Sequence, residues 1–104
     1  MIAALLLAAS PAAPPPGLQF AFFRMAAFRQ RVIESNCGAD LDTLDGLRKR
    51  LAQRFGKQAF AWPKVPSTPP GDCRMVSSVF DVNLADFRRD AEAALAAPAA
   101  TGSR

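Results

Sequence analysis

The sequence contains no histidine and no tyrosine, a single tryptophan at Trp62, and only two cysteines, Cys37 and Cys73. Each shortage removes a class of chemistry. Two cysteines without any histidine cannot assemble a standard zinc site, and their wide separation is not that of a CxxC redox pair. Most general acid–base and nucleophilic constellations lose a member when histidine and tyrosine are missing. Neither a glycine-rich phosphate loop nor a serine in a nucleophile-elbow context occurs. Asp40, Asp42 and Asp45 are the only carboxylates dense enough to suggest a metal, and their position at the start of a helical pattern assigns them to capping and dipole stabilisation. The chain is therefore expected to be non-enzymatic, with no cofactor and no metal.

A long apolar run is also missing. Met1 to Ala9 is apolar, but a spanning helix needs about 20 such residues while the core of an export signal needs roughly 7 to 15. Residues 1–16 thus read as a signal-like segment followed by a proline-rich spacer, Pro11 to Pro16, with small cleavage-type residues between Ser10 and Ala13. No basic residue precedes the apolar run, so a permanent anchor or an incomplete N-terminus stays open beside cleavage. No transmembrane helix is expected in the mature form, and the location expected is periplasmic or extracellular.

What remains is enough for one domain. The chain has 104 residues, 50% of them apolar and 21% charged, a composition that folds rather than stays disordered. Domains of this size bury only about 60% of their unfolded surface, so a covalent staple matters. In an exported chain the default for Cys37 and Cys73 is one intramolecular disulfide. Closing a loop of that size is worth about 3.8 kcal/mol in the chain-entropy model. Two buried free thiols in a cytosolic protein are the competing possibility.

Periodicity predicts an all-α fold, a small three-helix bundle over residues 17–97, with a disordered tail at 98–104. The first helix begins near Gly17 or Leu18 and stops at Ser35 to Gly38, where Asn36 and Gly38 tolerate a left-handed turn. Phe22, Met25, Ala26, Phe28, Val32 and Ile33 share its inner face. Phe20 and Phe23 fall on the other side, beside Arg24 and Arg31. Either the first turn folds back, or both faces are covered, or these rings form an apolar contact with a partner or membrane.

The second helix follows a cap at Asp40 or Asp42 and carries Leu41, Leu44, Leu47, Leu51 and Phe55 inward before Gly56 ends it. Lys49, Arg50, Arg54 and Lys57 are predicted to project outward as a basic contact face. Residues 58–72 then form a proline-rich loop in which Phe60 and Trp62 are expected to pack on the helices; its Pro-x-x-Pro patterns, Pro63 to Pro66 and Pro66 to Pro69, are common in such loops. The third helix starts after Asp72 or at Asn83. Val76, Val79, Phe80, Leu84, Phe87, Ala91, Ala94 and Leu95 keep one stripe throughout, so a single helix ending before Pro98 is predicted, with a strand over Val76 to Val82 as the alternative.

Three charges fall on predicted inner faces: Arg29, Arg48 and Asp90. The arginines can snorkel to the edge of the core, or Asp90 can pair with Arg48 or Arg29 across the bundle as a structural ion pair. The net charge of +4 and a pI of 9.8 raise the question of nucleic acid. The excess is modest and no recognition-helix motif is present, so an anionic surface or an envelope protein is the preferred partner class. These observations lead to the expectation of a small exported accessory or binding protein of the cell envelope. The alternatives are a basic intracellular protein associating with membrane or nucleic acid through the second helix, and a subunit that completes its core on a larger protein.

Overall fold

The computed structural model describes residues 13–98; the signal-like segment and most of the C-terminal tail lie outside them. Three helices follow one another, α1 (Pro16–Glu34), α2 (Leu41–Phe55) and α3 (Cys73–Ala96), with no strand among the described residues. The sequence accounts for each boundary. Pro16 occupies the first turn of α1, where its missing N–H is not needed. At the other end Asn36 adopts φ 56°, and the Asn36 and Cys37 N–H groups donate back to Ile33 O at 3.1 Å and Val32 O at 3.0 Å. That pair of bonds is a Schellman stop. Asp40 caps α2 by accepting from Thr43 N at 3.1 Å and from Thr43 Oγ1 at 2.6 Å, which holds its carboxyl below the usual aspartate range. Asp72, not Asn83, caps α3 through Met75 N.

α3 is the central element, packed extensively on α1 and less so on α2. Its buried line is Val76, Phe80, Leu84, Phe87 and Ala91, matched by Leu18, Phe22, Met25, Ala26 and Val32 from α1 and by Leu44, Leu47, Leu51 and Phe55 from α2. Phe60 from the loop completes this core and is fully buried, with Phe22 edge-on at 5.4 Å and Phe55 at 6.1 Å between centroids. The loop aromatics therefore pack as predicted.

Cys37 and Cys73 are joined, with Cα atoms 5.3 Å apart. The bond ties the turn after α1 to the first residue of α3, so it closes the end of the bundle at which the long loop returns. The rest of that loop is strapped to α1 by polar groups. Glu34 accepts from Ser67 Oγ at 2.7 Å and from Thr68 N at 3.1 Å, and Arg31 donates to Thr68 Oγ1 at 3.0 Å and Pro69 O at 3.2 Å. Gly71 N donates to Ser35 Oγ at 2.9 Å.

Two inner faces are narrower than the periodicity predicts. Ile33 is 47% exposed and Val79 39%, because each lies one residue from a buried position, about 100° around its helix. The same geometry corrects the prediction for Asp90. It precedes buried Ala91 and sits on the flank of α3, where its carboxylate meets Arg89 Nε at 3.5 Å at an exposed position. It pairs with neither Arg29 nor Arg48, both of which turn to the loop instead.

Candidate functional site

The residue to which those two arginines turn is Trp62. Its indole packs on Phe22, 5.2 Å between centroids, and remains only partly buried. Arg29, from α1, places its guanidinium carbon 4.2 Å from the ring centroid, and Arg48, from α2, places its own at 5.4 Å. Both lie within the roughly 6 Å at which a cation is drawn to the indole quadrupole. An arginine on an inner helix face is thus accommodated by an aromatic ring supplied from a loop.

The backbone around Trp62 is anchored from two helices. Gln19 Nε2 of α1 donates to Ala59 O at 3.0 Å, and Arg48 Nη1 of α2 donates to Phe60 O at 3.4 Å. Arg48 Nε lies 3.6 Å from Asp45 Oδ1, yet it is buried and makes no hydrogen bond. The Arg48–Asp45 contact is an ion pair at a distance rather than a hydrogen-bonded one, and we regard Arg48 chiefly as a strut between α2 and the loop.

Beside this strut an open groove of about 550 Å³ runs between α2 and the loop. Ala52, Ala61 and Trp62 supply apolar lining, and Arg48, Lys49, Gln53 and Lys57 supply polar lining. Lys49 stands six residues before the end of α2 at Phe55, and Lys57 lies two residues beyond that end, past the Gly56 cap. Lys49 shares Asp45 with Arg48, at 3.5 Å. Among the described residues neither Arg29 nor Lys57 has a carboxylate within 4.0 Å. Two cations thus lie over the indole and two more border the adjoining groove, with Asp45 paired to Arg48 and Lys49.

The predicted basic face is accordingly divided. Lys49 and Lys57 border the groove, whereas Arg50, about 100° around α2 from Lys49, and Arg54 face α3. Arg50 approaches Glu92 at 3.8 Å. Arg54 donates to Leu95 O at 3.0 Å and to Ala97 O at 2.6 Å, satisfying carbonyls that the end of α3 leaves without intrahelical donors. Its charge stabilises a helix terminus. Helical spacing alone could not separate these roles, because it does not reveal which side of α2 receives α3. Nor could it find the groove, whose opposite wall comes from the loop; the signal available was the lone tryptophan beside a run of lysine and arginine.

A second, smaller cavity of about 180 Å³ lies at the disulfide end between α1 and α3, bordered by Phe28, Arg31, Asp72, Met75, Val76 and Val79. Met75, Val79 and Val82 follow one another along α3 as exposed apolar residues. Phe20 is 68% exposed and Phe23 43%. The first turn of α1 is helical, so these rings do project outward from it. No described helix is long and apolar enough to cross a membrane. Comparison with known protein families, with curated proteins and with solved structures finds no match to this chain.

Proposed function

We propose that this chain is a small exported accessory protein of the cell envelope that acts by binding, and that the Trp62 groove is its contact surface for an anionic partner. The observation that carries the reading is the arrangement of Arg29 and Arg48 over one indole with Lys49 and Lys57 bordering the adjoining groove. Clustered cations focus the local potential and favour an anion more than the same charges dispersed over a surface. The Cys37–Cys73 bond supports export, because disulfides persist in oxidising compartments. The signal-like residues 1–16 point the same way. A non-enzymatic role accords with a sequence that offers neither histidine nor tyrosine.

Export is tested by the intact mass of the protein taken from its own cells under non-reducing conditions with thiols blocked. Loss of the N-terminal segment with neither cysteine alkylated is the expected result. A full-length mass with both cysteines alkylated would return the protein to the cytosol and leave nucleic acid as the competing anion. Affinity for DNA would then fall steeply with added salt.

The exposed Phe20, Phe23, Met75, Val79 and Val82 favour a second reading, in which the chain is a subunit seated on a larger protein through its α1 and α3 surfaces. Under that reading the isolated domain self-associates or gives broadened resonances at these side chains. A sharp, monomeric spectrum removes it.

A further inference from the structure

We infer that the occupant of the Trp62 groove is an acidic, amphipathic peptide segment of a partner protein, rather than a lipid surface or an inorganic polyanion. This rests on the reading of the groove as an anion-contacting surface and adds to it the chemistry of the partner. Three features of the groove carry the choice.

The first is the spread of the cations. Lys49 lies within α2 and Lys57 past its Gly56 cap, eight residues further along the chain, with the Trp62 cluster beside them. They do not converge on a point, as donors for a single phosphate do. They match carboxylates distributed along a chain. The second is the lining between them. Ala52, Ala61 and the Trp62 indole form an apolar strip, and a wholly charged polymer laid across it gains nothing from that strip while losing some of its own hydration. A peptide with an apolar side chain between its acids covers the strip and places the charges on the rim, the usual arrangement of an apolar centre and a polar border. The third is Gln53 in the same lining. Its amide offers a donor and an acceptor together, which suits a peptide group.

The shape argues against a membrane. A bilayer surface meets protruding apolar side chains, whereas the one large apolar group here, Trp62, is half-buried against Phe22. The indole faces are also occupied, with Phe22 packed on the ring and Arg29 lying over it, so a ligand gains more from the charge of Arg29 than from stacking on the bare ring.

Trp62 is the only tryptophan and no tyrosine is present, so tryptophan emission reports on this groove alone. The disulfide-bonded protein is titrated, in parallel, with a synthetic helical peptide of glutamate and leucine, with inorganic polyphosphate, and with phosphatidylglycerol vesicles. The peptide is expected to shift the emission and saturate, binding at least about ten-fold more tightly per anionic group than either other probe. Lys49→Glu combined with Lys57→Glu should weaken the peptide by about ten-fold or more. Ala61→Lys separates the possibilities by sign: it adds a cation but fills the apolar strip, so peptide affinity falls while polyphosphate affinity rises. Ala61→Gln, which adds bulk without charge, gives the same loss for the peptide and no change for polyphosphate, and it carries the test if the lysine variant does not keep its helical spectrum.

A peptide no tighter than polyphosphate, or an Ala61→Lys variant that gains affinity for both, overturns this inference while leaving an anion-contacting groove in place. A response to vesicles alone also overturns it, in favour of a membrane. Silence with all three probes removes the inference and the reading beneath it together.

Discussion

From residue 57 to 62 the connection between α2 and α3 is held mainly by packed rings, with Gln19 and Arg48 bonding its backbone, whereas from 63 to 72 it is held by hydrogen bonds and one covalent bond. Phe60 is fully buried among Phe22 and Phe55, and Trp62 packs on Phe22 beneath Arg29. The second half buries no large side chain and is instead strapped to α1 by Arg31, Glu34 and Ser35 before reaching Cys73. One segment of chain thus shows both ways of ordering a loop. Apolar burial responds little to pH or redox state, while straps made of carboxylates and sulfur respond to both. The first half carries the groove, so the contact surface should outlast changes that release the second half.

Phe60→Ala tests the stronger half. Phenylalanine-to-alanine changes in well-packed cores cost about 3 to 5 kcal/mol, and Phe60 has neighbours from α1 and α2 that cannot all collapse into the space. Chemical denaturation should show a loss in that range together with a changed Trp62 emission, because the ring anchors the backbone two residues away. A loss under 1 kcal/mol would mean that the loop packs far more loosely than these contacts imply.

Breaking the disulfide comes next. The loop-entropy model sets its contribution at about 3.8 kcal/mol, and strain or residual structure in the unfolded chain lowers this toward 2. Cys37→Ser combined with Cys73→Ser should lower the denaturation midpoint accordingly and raise hydrogen exchange in residues 63–72. Trp62 emission should stay as it is in the native state. If the emission changes as much as the exchange, the two halves are one cooperative unit and the contrast between them is lost.

Gly71→Ala probes the junction more gently. A methyl group there would lie 2.6 Å from Arg31 Nη2 and 2.9 Å from Val76 Cγ2. The guanidinium can swing aside, at the expense of its bonds to Thr68 and Pro69, but Val76 is buried and has less room. A cost of about 1 to 3 kcal/mol, typical of overpacking, is expected. Gly38, with nothing within 4 Å of the same added atom, supplies the control; equal effects at both positions would show that chain flexibility rather than crowding sets the cost.

The unequal legibility of this molecule in its sequence has the same physical origin. Helical identity and the left-handed stop near Asn36 follow from local chemistry, and neighbours in sequence narrow the caps to Asp40 or Asp42 and to Asp72 or Asn83. The disulfide, spanning 36 positions, follows from the presence of only two cysteines in a chain expected to be exported. The packing of Phe60 and Trp62 on the helices followed from composition, since large rings in a loop must go somewhere. The partition of the basic residues could not be read, because no local pattern shows that α3 lies beside Arg54 and the groove beside Lys57. Asp90 was misplaced for a related reason: a wheel wide enough to include Val79 also includes it, and only the packing of α3 on its two neighbours shows how narrow the buried line is. The groove needed the loop's path, which no local pattern encodes.

Glu34 offers the smallest and most local perturbation. Bonds from Ser67 Oγ, Gln30 Nε2 and Thr68 N to its carboxylate hold its pKa below the ordinary glutamate value of 4.5. All three donors favour the charged form, so the folded state binds its proton later than the unfolded chain does. The contribution is therefore complete above about pH 4.5 and is lost as the pH falls through the lower, folded-state value. Because the group is solvent-exposed, the expected consequence is local rather than global. Amide exchange at Thr68, corrected for its intrinsic pH dependence, should quicken as the pH is lowered below 4.5, while the Trp62 emission holds steady over the same interval. Glu34→Gln removes the titrating group and should abolish this pH dependence while leaving Thr68 less protected at neutral pH. Exchange at Thr68 that shows no dependence on pH in the parent protein would mean that the strap is carried by Arg31 and the disulfide alone.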